Sequence, residues 1–151
     1  MHVVEAGKVN STAISSGATM YVSSGGTANS TVANGGHMYV SSGGTANSTI
    51  VDFLGSMYVS SGGTANSTTM SGGSMYVYEE GTANITYIKR GFMYVSAGGT
   101  ANRTVVSGGK MYVSSGGTAN STYIKSGGYL NVKSGGTALS VSSDTGAIII
   151  V

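Results

Sequence analysis

The sequence predicts an all-β protein, a right-handed parallel β-helix (β-solenoid) of about eight coils of 18–19 residues. One motif recurs along nearly the whole chain at that period, which is typical of stacked repeat proteins. Glycine pairs return every 8–11 residues, too often for helices. Between them Ser, Thr, Asn and Val dominate, a composition that favours strands and turns.

The motif begins with a Met-Tyr-Val triplet, and this triplet sets the register. It starts at Met20, Met38, Met57, Met75, Met93 and Met111. Three related triplets hold the same position: Met1-His2-Val3, Leu130-Asn131-Val132 and Ile148-Ile149-Ile150. The register therefore covers the chain and predicts a single repeat domain at residues 1–151. Each position of the motif then forms a row along the stack.

Within a representative unit, Met20 and Val22 alternate with Tyr21, the period of a half-buried strand. A Gly-Gly pair follows and predicts a turn, because glycine adopts positive φ without steric cost. A Thr-Ala-Asn stretch, a second short stretch and another glycine pair complete the unit. Each coil is expected to hold two or three short strands. Strands of successive coils run in parallel, and such connections are right-handed by default.

In the first seven units an aliphatic or similar residue lies 13 positions after the first residue of the triplet, whereas the eighth unit has the polar Ser143 there. The gap to the next triplet is five or six residues, so one corner absorbs all length variation. This constancy is expected where equivalent residues stack on each other. We therefore predict that the Met, Val, Ala and aliphatic columns point inward.

Two polar columns accompany these apolar ones. The Thr column that includes Thr68 is predicted to point inward, because its eighth member is the isosteric Val141. An inward hydroxyl needs a hydrogen-bond partner, which we expect from its neighbours in the ladder. The Asn column that includes Asn66 is predicted to form an amide ladder between coils, broken only at Leu139.

The composition excludes several classes of function. The net charge of +2 gives no case for nucleic acid or an anionic membrane as partner. The chain has no cysteine, and its longest apolar run, Ala147–Val151, is too short to span a bilayer. Asp52 and Asp144 are the only aspartates, too few for a calcium-binding β-roll. We expect neither a metal nor a cofactor.

The sequence also contains no residues that indicate a catalytic site. The only carboxylate pair is Glu79-Glu80, and adjacent residues of a strand point to opposite faces. Lys89 and Arg90 lie in the same unit and are expected to pair with these acids on the surface. No base is placed to activate a serine. The sequence therefore predicts a non-enzymatic protein.

The motif Ser-Gly-Gly-Thr-Ala-Asn-Ser-Thr, followed by an aliphatic residue and a further Ser-Gly-Gly, resembles the 19-residue passenger repeat of bacterial autotransporter adhesins of the diffuse-adherence type. The resemblance covers nearly the whole chain. Its glycine-containing core recurs at Gly25–Ala28, Gly43–Ala46, Gly62–Ala65, Gly98–Ala101, Gly116–Ala119 and Gly135–Ala138, and in altered form at Gly81–Ala83.

This resemblance implies an extracellular adhesin segment at the bacterial cell surface, a fragment of a longer passenger. It also implies that a glycosyltransferase modifies serines of the repeat with sugar. Two rows match: the serines after the triplet, and those after the Asn. They are Ser23, Ser41, Ser60, Ser96 and Ser114, and Ser11, Ser30, Ser48, Ser67 and Ser121. The sequence leaves open which row is the acceptor.

The tyrosines of the triplets form a candidate binding row, because they alternate with inward residues and should face solvent. They are Tyr21, Tyr39, Tyr58, Tyr76, Tyr94 and Tyr112. Such an aromatic strip suits stacking on sugar rings or packing against a second rod, so the expected partners are host-cell glycans or another copy of the chain. The structural alternative is that stacked tyrosines only stabilise the sheet.

Two further functions fit the same repeat. One is a passive spacer that serves as an acceptor scaffold for serine O-glycosylation. The other, less favoured, is ice binding through an outward Thr row next to a glycine corner. That row comprises Thr27, Thr45, Thr64, Thr82, Thr100, Thr118 and Thr137.

Overall fold

The fold is a parallel β-solenoid of about eight coils, as the repeat predicts. A computed structural model describes all 151 residues, which form strands, turns and bends but no helix. The seventeen strands are β1 (His2–Val3), β2 (Lys8–Asn10), β3 (Ala13–Ile14), β4 (Thr19–Val22), β5 (Thr27–Asn29), β6 (Val32–Ala33), β7 (His37–Val40), β8 (Thr45–Val51), β9 (Ser56–Val59), β10 (Thr64–Val77), β11 (Thr82–Val95), β12 (Thr100–Val106), β13 (Lys110–Val113), β14 (Thr118–Ile124), β15 (Tyr129–Val132), β16 (Thr137–Ser143) and β17 (Ile148–Ile150).

Each coil contributes three strand segments, which define faces 1, 2 and 3 of the rod. Face 1 holds the triplet, face 2 the Thr-Ala-Asn stretch, and face 3 the Thr and the aliphatic residue. In the second coil these are β4, β5 and β6, whereas β10 and β11 continue from faces 2 and 3 into face 1 of the next coil. We number the coils 1–8 by their first residues, Met1, Met20, Met38, Met57, Met75, Met93, Met111 and Leu130.

Equivalent residues of neighbouring coils pair with each other. Met20 pairs with Met38 on face 1, and Thr64 pairs with Thr82 on face 2, in parallel register. At the C-terminus the predicted register is wrong by one residue, because Leu130 pairs with Ile149 rather than with Ile148. The last corner contains the longer, six-residue connection, so the final step is 19 residues.

The interior confirms the predicted inward columns. Twenty-seven buried apolar residues form one cluster along the axis, drawn from the Met, Val, Ala and aliphatic columns. The largest fully buried side chains include six of the triplet methionines and Leu130. Consecutive coils lie ~4.8 Å apart, the spacing of hydrogen-bonded strands. The core is therefore a continuous apolar column.

Corner 1, between faces 1 and 2, needs its two glycines for different reasons. In coil 2, Ser24 and Gly25 have φ of 51° and 77°, and the Gly26 amide donates to the Ser23 carbonyl at 2.9 Å. This is a type I′ turn, which requires positive φ at both central residues. A Cβ on Gly26 would lie 2.2 Å from the carbonyl oxygen of Val3, so no larger residue fits.

Corner 2, between faces 2 and 3, is made by one residue in the left-handed conformation. The residue after the Asn column has φ of 52–56° in all eight coils. Its amide is turned toward the following coil: the Ser30 amide donates to the Asn47 carbonyl at 2.9 Å. A single left-handed residue therefore turns the chain without breaking the hydrogen bonding between coils.

The two polar columns behave differently. The Asn ladder is confirmed: six amide nitrogens each donate to the Asn oxygen of the preceding coil at 2.9–3.0 Å. The six Thr residues of coils 2–7 are buried as predicted, but their hydroxyl oxygens have no hydrogen-bond partner. The expected bonding between threonines is wrong, because short side chains stacked ~4.8 Å apart cannot reach one another.

Candidate functional site

The triplet tyrosines form a continuous stack on face 1. Neighbouring ring centroids from Tyr21 to Tyr112 lie 4.6–5.3 Å apart, with planes 7–15° from parallel. Tyr21 is exposed, and the other five are half-buried. The row faces outward as predicted, but the rings cover one another.

This stacking limits what the tyrosine row can bind. Between Tyr21 and Tyr112 each ring has a neighbour on both faces, so solvent meets ring edges and hydroxyl groups. At the ends, His2 stacks on Tyr21 at 4.7 Å, and the Nζ of Lys133 lies 5.6 Å from the centroid of Tyr112. A ligand on this row would therefore meet a line of phenol hydroxyls rather than open aromatic faces.

The stack also changes the acidity of two of its members. Burial, followed by the neighbouring phenols, raises the pKa of Tyr39 above its usual value of 10.0. The same two causes raise the pKa of Tyr94. Tyr39 and Tyr94 therefore stay uncharged at neutral pH, and each hydroxyl can donate and accept a hydrogen bond.

The structure distinguishes the two predicted serine rows by exposure. The row after the triplet is half-buried at all five predicted positions. The row after the Asn is exposed at all five, and it occupies the left-handed residue of corner 2. An enzyme that transfers sugar needs access to the hydroxyl, so corner 2 offers the better acceptors of the two.

A third serine row escaped the sequence analysis. It is the serine directly before the Gly-Gly pair of corner 1, and its members are exposed: Ser24, Ser42, Ser61, Ser115 and Ser134. The turn sequence could have indicated this row, because the central residues of a tight turn point away from the strands they join.

The outward Thr row of face 2 is less accessible than predicted. Six of its seven members are half-buried, and only Thr137 in coil 8 is exposed. The Asn ladder lies two residues further along each strand, so face 2 carries one Thr row beside an amide row.

Face 3 carries an outward apolar stripe that the sequence analysis also missed. Its members lie between the buried Thr and aliphatic columns, and Thr69 interrupts them in coil 4: Val32, Ile50, Tyr87, Val105 and Tyr123. Ile50 and Tyr87 remain 41% and 46% exposed. The sequence could have indicated this stripe, because its residues alternate with two inward columns and must therefore face outward.

The charges are divided along the rod. Residues 1–80 carry one Lys and four acids, a net charge of −3, whereas residues 81–143 carry six basic residues and no acid. The predicted surface pairing is wrong: Glu79 and Glu80 lie in corner 1, whereas Lys89 and Arg90 follow face 3 in corner 3. Because face 1 of the next coil separates the two corners, the basic pair is left without these acids.

Corner 3 is irregular where this basic pair occurs. The register between β10 and β11 shifts between Met70 and Ser74, and Ser71 pairs with Arg90. An open depression of about 390 Å³ lies at this point, lined by Ser71, Lys89 and Arg90. It is the one pocket in the structure.

No group of three or more His, Asp or Glu side chains is placed to hold a metal ion. The structure also lacks any helix with the length and apolarity needed to cross a bilayer.

Comparison with known proteins shows similarity to one class of protein. Residues 29–73 match a family model described as the adhesin of the bacterial autotransporter system, probable stalk. No curated protein sequence matches significantly. Together with the structural likeness below, the match supports the resemblance of these repeats to the passenger-domain repeats of bacterial autotransporter adhesins.

The structural likeness is to a crystal structure of a TibC-catalysed, hyper-glycosylated fragment of TibA that spans residues 55–350 of that protein. The two chains superpose with a TM-score of 0.96 and are 40% identical in sequence. The alignment covers 99% of this chain and 56% of the TibA fragment, so this chain spans little more than half of that fragment.

Proposed function

We propose that this chain is a rigid stalk segment of a bacterial surface adhesin and an acceptor scaffold for sugars added to exposed serines. The observation that carries the proposal is the exposed serine row of corner 2, presented on a fold shared with a hyper-glycosylated TibA fragment. A glycosyltransferase of the TibC kind is the expected partner, and the cell surface is the expected location.

The regular spacing of the rod supports this role. Each coil presents its corner-2 residue in the same left-handed conformation, so an enzyme that recognises one coil finds the same geometry ~4.8 Å further on. Corner 1 presents Ser24, Ser42 and Ser61 of the third row with φ of 47–51° in three successive coils. An enzyme that follows the rod can therefore modify many sites with one mode of recognition.

Co-expression with such a transferase and intact-mass measurement tests the proposal. Changing Ser30, Ser48 and Ser67 to Gly removes three exposed hydroxyls and suits the positive φ at these positions. We expect the mass to fall by three sugars. The matched control changes the half-buried Ser23, Ser41 and Ser60 to Ala and should retain every sugar. The opposite pattern would contradict the assignment, and an unmodified wild-type chain would refute the acceptor role.

Self-association is the second candidate function, and the apolar stripe of face 3 favours it. Apolar side chains that stay exposed in a row mark interaction surfaces more often than isolated ones do. The division of charge favours an antiparallel dimer, because this arrangement would place the basic half of one copy beside the acidic half of the other.

Sedimentation velocity at low and high salt tests this second candidate. Changing Ile50 and Tyr87 to Thr should weaken dimerisation, and added salt should weaken it further. The corresponding control changes Tyr58 and Tyr76 to Thr on face 1. A wild-type chain that stays monomeric at millimolar concentration would count against self-association.

Attachment to host glycans through the tyrosine row is a further proposal for the same rod. The row offers a line of hydroxyl groups, so sugar binding would depend on hydrogen bonds rather than on ring stacking. A glycan array with Tyr58, Tyr76 and Tyr94 changed together to Phe tests this idea, because Phe keeps the stack and removes the hydroxyls. Undiminished binding would exclude the row as the recognition surface.

A further inference from the structure

We propose that corner 3 of coils 5–7 binds an anionic polysaccharide, one whose sulfate, phosphate or carboxylate groups repeat along an extended chain. This inference rests on the adhesin role proposed above and names a ligand class for it. It concerns a different corner from the serine rows and does not depend on their modification.

The site begins where the repeat is broken. Corner 3 of coil 4 reads Ser71-Gly72-Gly73, whereas the equivalent corner of coil 5 reads Lys89-Arg90-Gly91. Two long cationic side chains therefore stand where the preceding coil has a hydroxyl and a glycine. The shifted register and the depression lined by Ser71, Lys89 and Arg90 lie at the same point. A hydroxyl, an ammonium group and a guanidinium group share one concave surface.

The positive charge continues along the rod from this depression. Lys125 holds the position of Lys89 two coils further on, which places the two about 10 Å apart along the axis. Lys110 lies between them as the first residue of β13, directly after corner 3 of coil 6, and its Nζ is 5.6 Å from the ring centroid of Tyr129. Corner 3 of coils 5 and 7 thus carries cations, and Lys110 adds one beside this corner in the coil between them.

The chemistry of these groups selects an anionic ligand. Arg forms paired hydrogen bonds with sulfate, phosphate or carboxylate oxygens, and Lys adds a point charge. No acidic residue lies between Glu80 and Asp144 to compete. Lys89 and Arg90 are exposed, so salt screens their attraction for a single ion. A polymer with repeated charges engages several coils at once, and each contact raises the effective concentration for the next.

Binding of a heparin decasaccharide at 50 and 150 mM NaCl tests the proposal. The variant K89S/R90G restores the Ser-Gly sequence of the preceding coil, so its fold should be kept, which circular dichroism checks. We expect it to weaken binding by about tenfold. The slope of log affinity against log salt should fall by about 1.5, as expected when two cation contacts are lost.

The matched control is K8T/R103S, which also removes two positive charges and restores the residues typical of those two columns. It should change the affinity by less than about threefold, because neither residue lies in corner 3. Equal weakening by the two variants would overturn the site in favour of the general charge of the rod. Absence of wild-type binding at 50 mM NaCl would overturn it outright.

Two further ligands identify the source of the recognised charge. The first is polyphosphate of similar length. If it binds as tightly as the decasaccharide and is equally sensitive to K89S/R90G, the anionic group rather than the sugar is recognised, and the position of the site is supported. A duplex oligonucleotide that binds more tightly than either would overturn the polysaccharide assignment. Sugar transfer to the serines is measured by mass in the same preparations, so its failure would contradict the acceptor role alone.

Discussion

The buried threonines offer a direct test of the packing because they break a general rule. Thr68 is fully buried and pairs with Thr49 and Thr86 in the adjacent coils, and its hydroxyl oxygen has no partner. We predict that changing Thr68 to Val stabilises the protein. Val has nearly the same shape, and Val141 already occupies this column in coil 8.

The size of the effect follows from the cost of burying an unpaired hydroxyl, about 1–3 kcal/mol. Removing that cost without a cavity should raise the free energy of unfolding by about 1 kcal/mol, or the thermal midpoint by about 2–4 °C. Thr31, Thr68 and Thr104 occupy alternate coils, about 10 Å apart. Their effects should add, so the triple Val variant should gain about 3 kcal/mol.

Guanidinium denaturation followed by circular dichroism measures this effect. The control is Thr68 to Ser, which keeps the oxygen, removes a methyl group and should lower stability by about 1 kcal/mol. The transition midpoints are the quantity to compare, because long repeat arrays can unfold in more than one step. A Val variant less stable than the wild type would show that the hydroxyl is satisfied in solution, and the reasoning would fail.

Three further predictions concern other rows. Changing Asn66 to Ala removes two links of the amide ladder and should lower the stability by about 1–3 kcal/mol; an unchanged denaturation midpoint would show that the ladder contributes nothing. Changing Ile85, a β-branched residue with φ of 55°, to Asn should raise stability by about 1 kcal/mol in the same assay, and a loss would mean that its packing outweighs the backbone strain. Burial and neighbouring phenols raise the folded-state pKa of Tyr39 and Tyr94, so the fold favours the neutral phenol. This contribution is complete below pH 10 and is lost as the pH rises through the raised values; tyrosinate absorbance that rises only at the usual pH would contradict it.

Much of the fold could be predicted from the sequence because the repeat allows each position to be compared with its equivalents in other coils. The replacement of Thr by Val141 indicated burial, and the run of Asn residues up to Leu139 indicated a ladder. Both inferences were right because a column must keep one environment along the stack. The one-residue error at Ile148 arose where the triplet pattern gives way to three identical residues, so the sequence offered no marker of register.

Other features depend on atomic distances that a repeat pattern does not contain. The amide of Asn66 carries a donor and an acceptor on a side chain long enough to link coils, whereas the hydroxyl of Thr68 is too close to the backbone to reach its neighbour. In the sequence both columns are polar, and hydrogen bonding between coils was expected of each. The proposed stacking of sugars on the tyrosines likewise requires open ring faces. The sequence did not show that neighbouring rings cover these faces.

Recognition on a solenoid of this kind depends on where the repeat is interrupted. A uniform row presents the same group at every coil, which suits repeated modification or a long contact but cannot define a single position. The change from Ser71-Gly72 to Lys89-Arg90 marks one place on the rod, and it coincides with the shift in register and the depression. Restoring the repeat there removes the charge and the irregular sequence together. If the decasaccharide still bound K89S/R90G as tightly as the wild type, the interruption would have no role in recognition, and binding would have to be sought in the uniform rows.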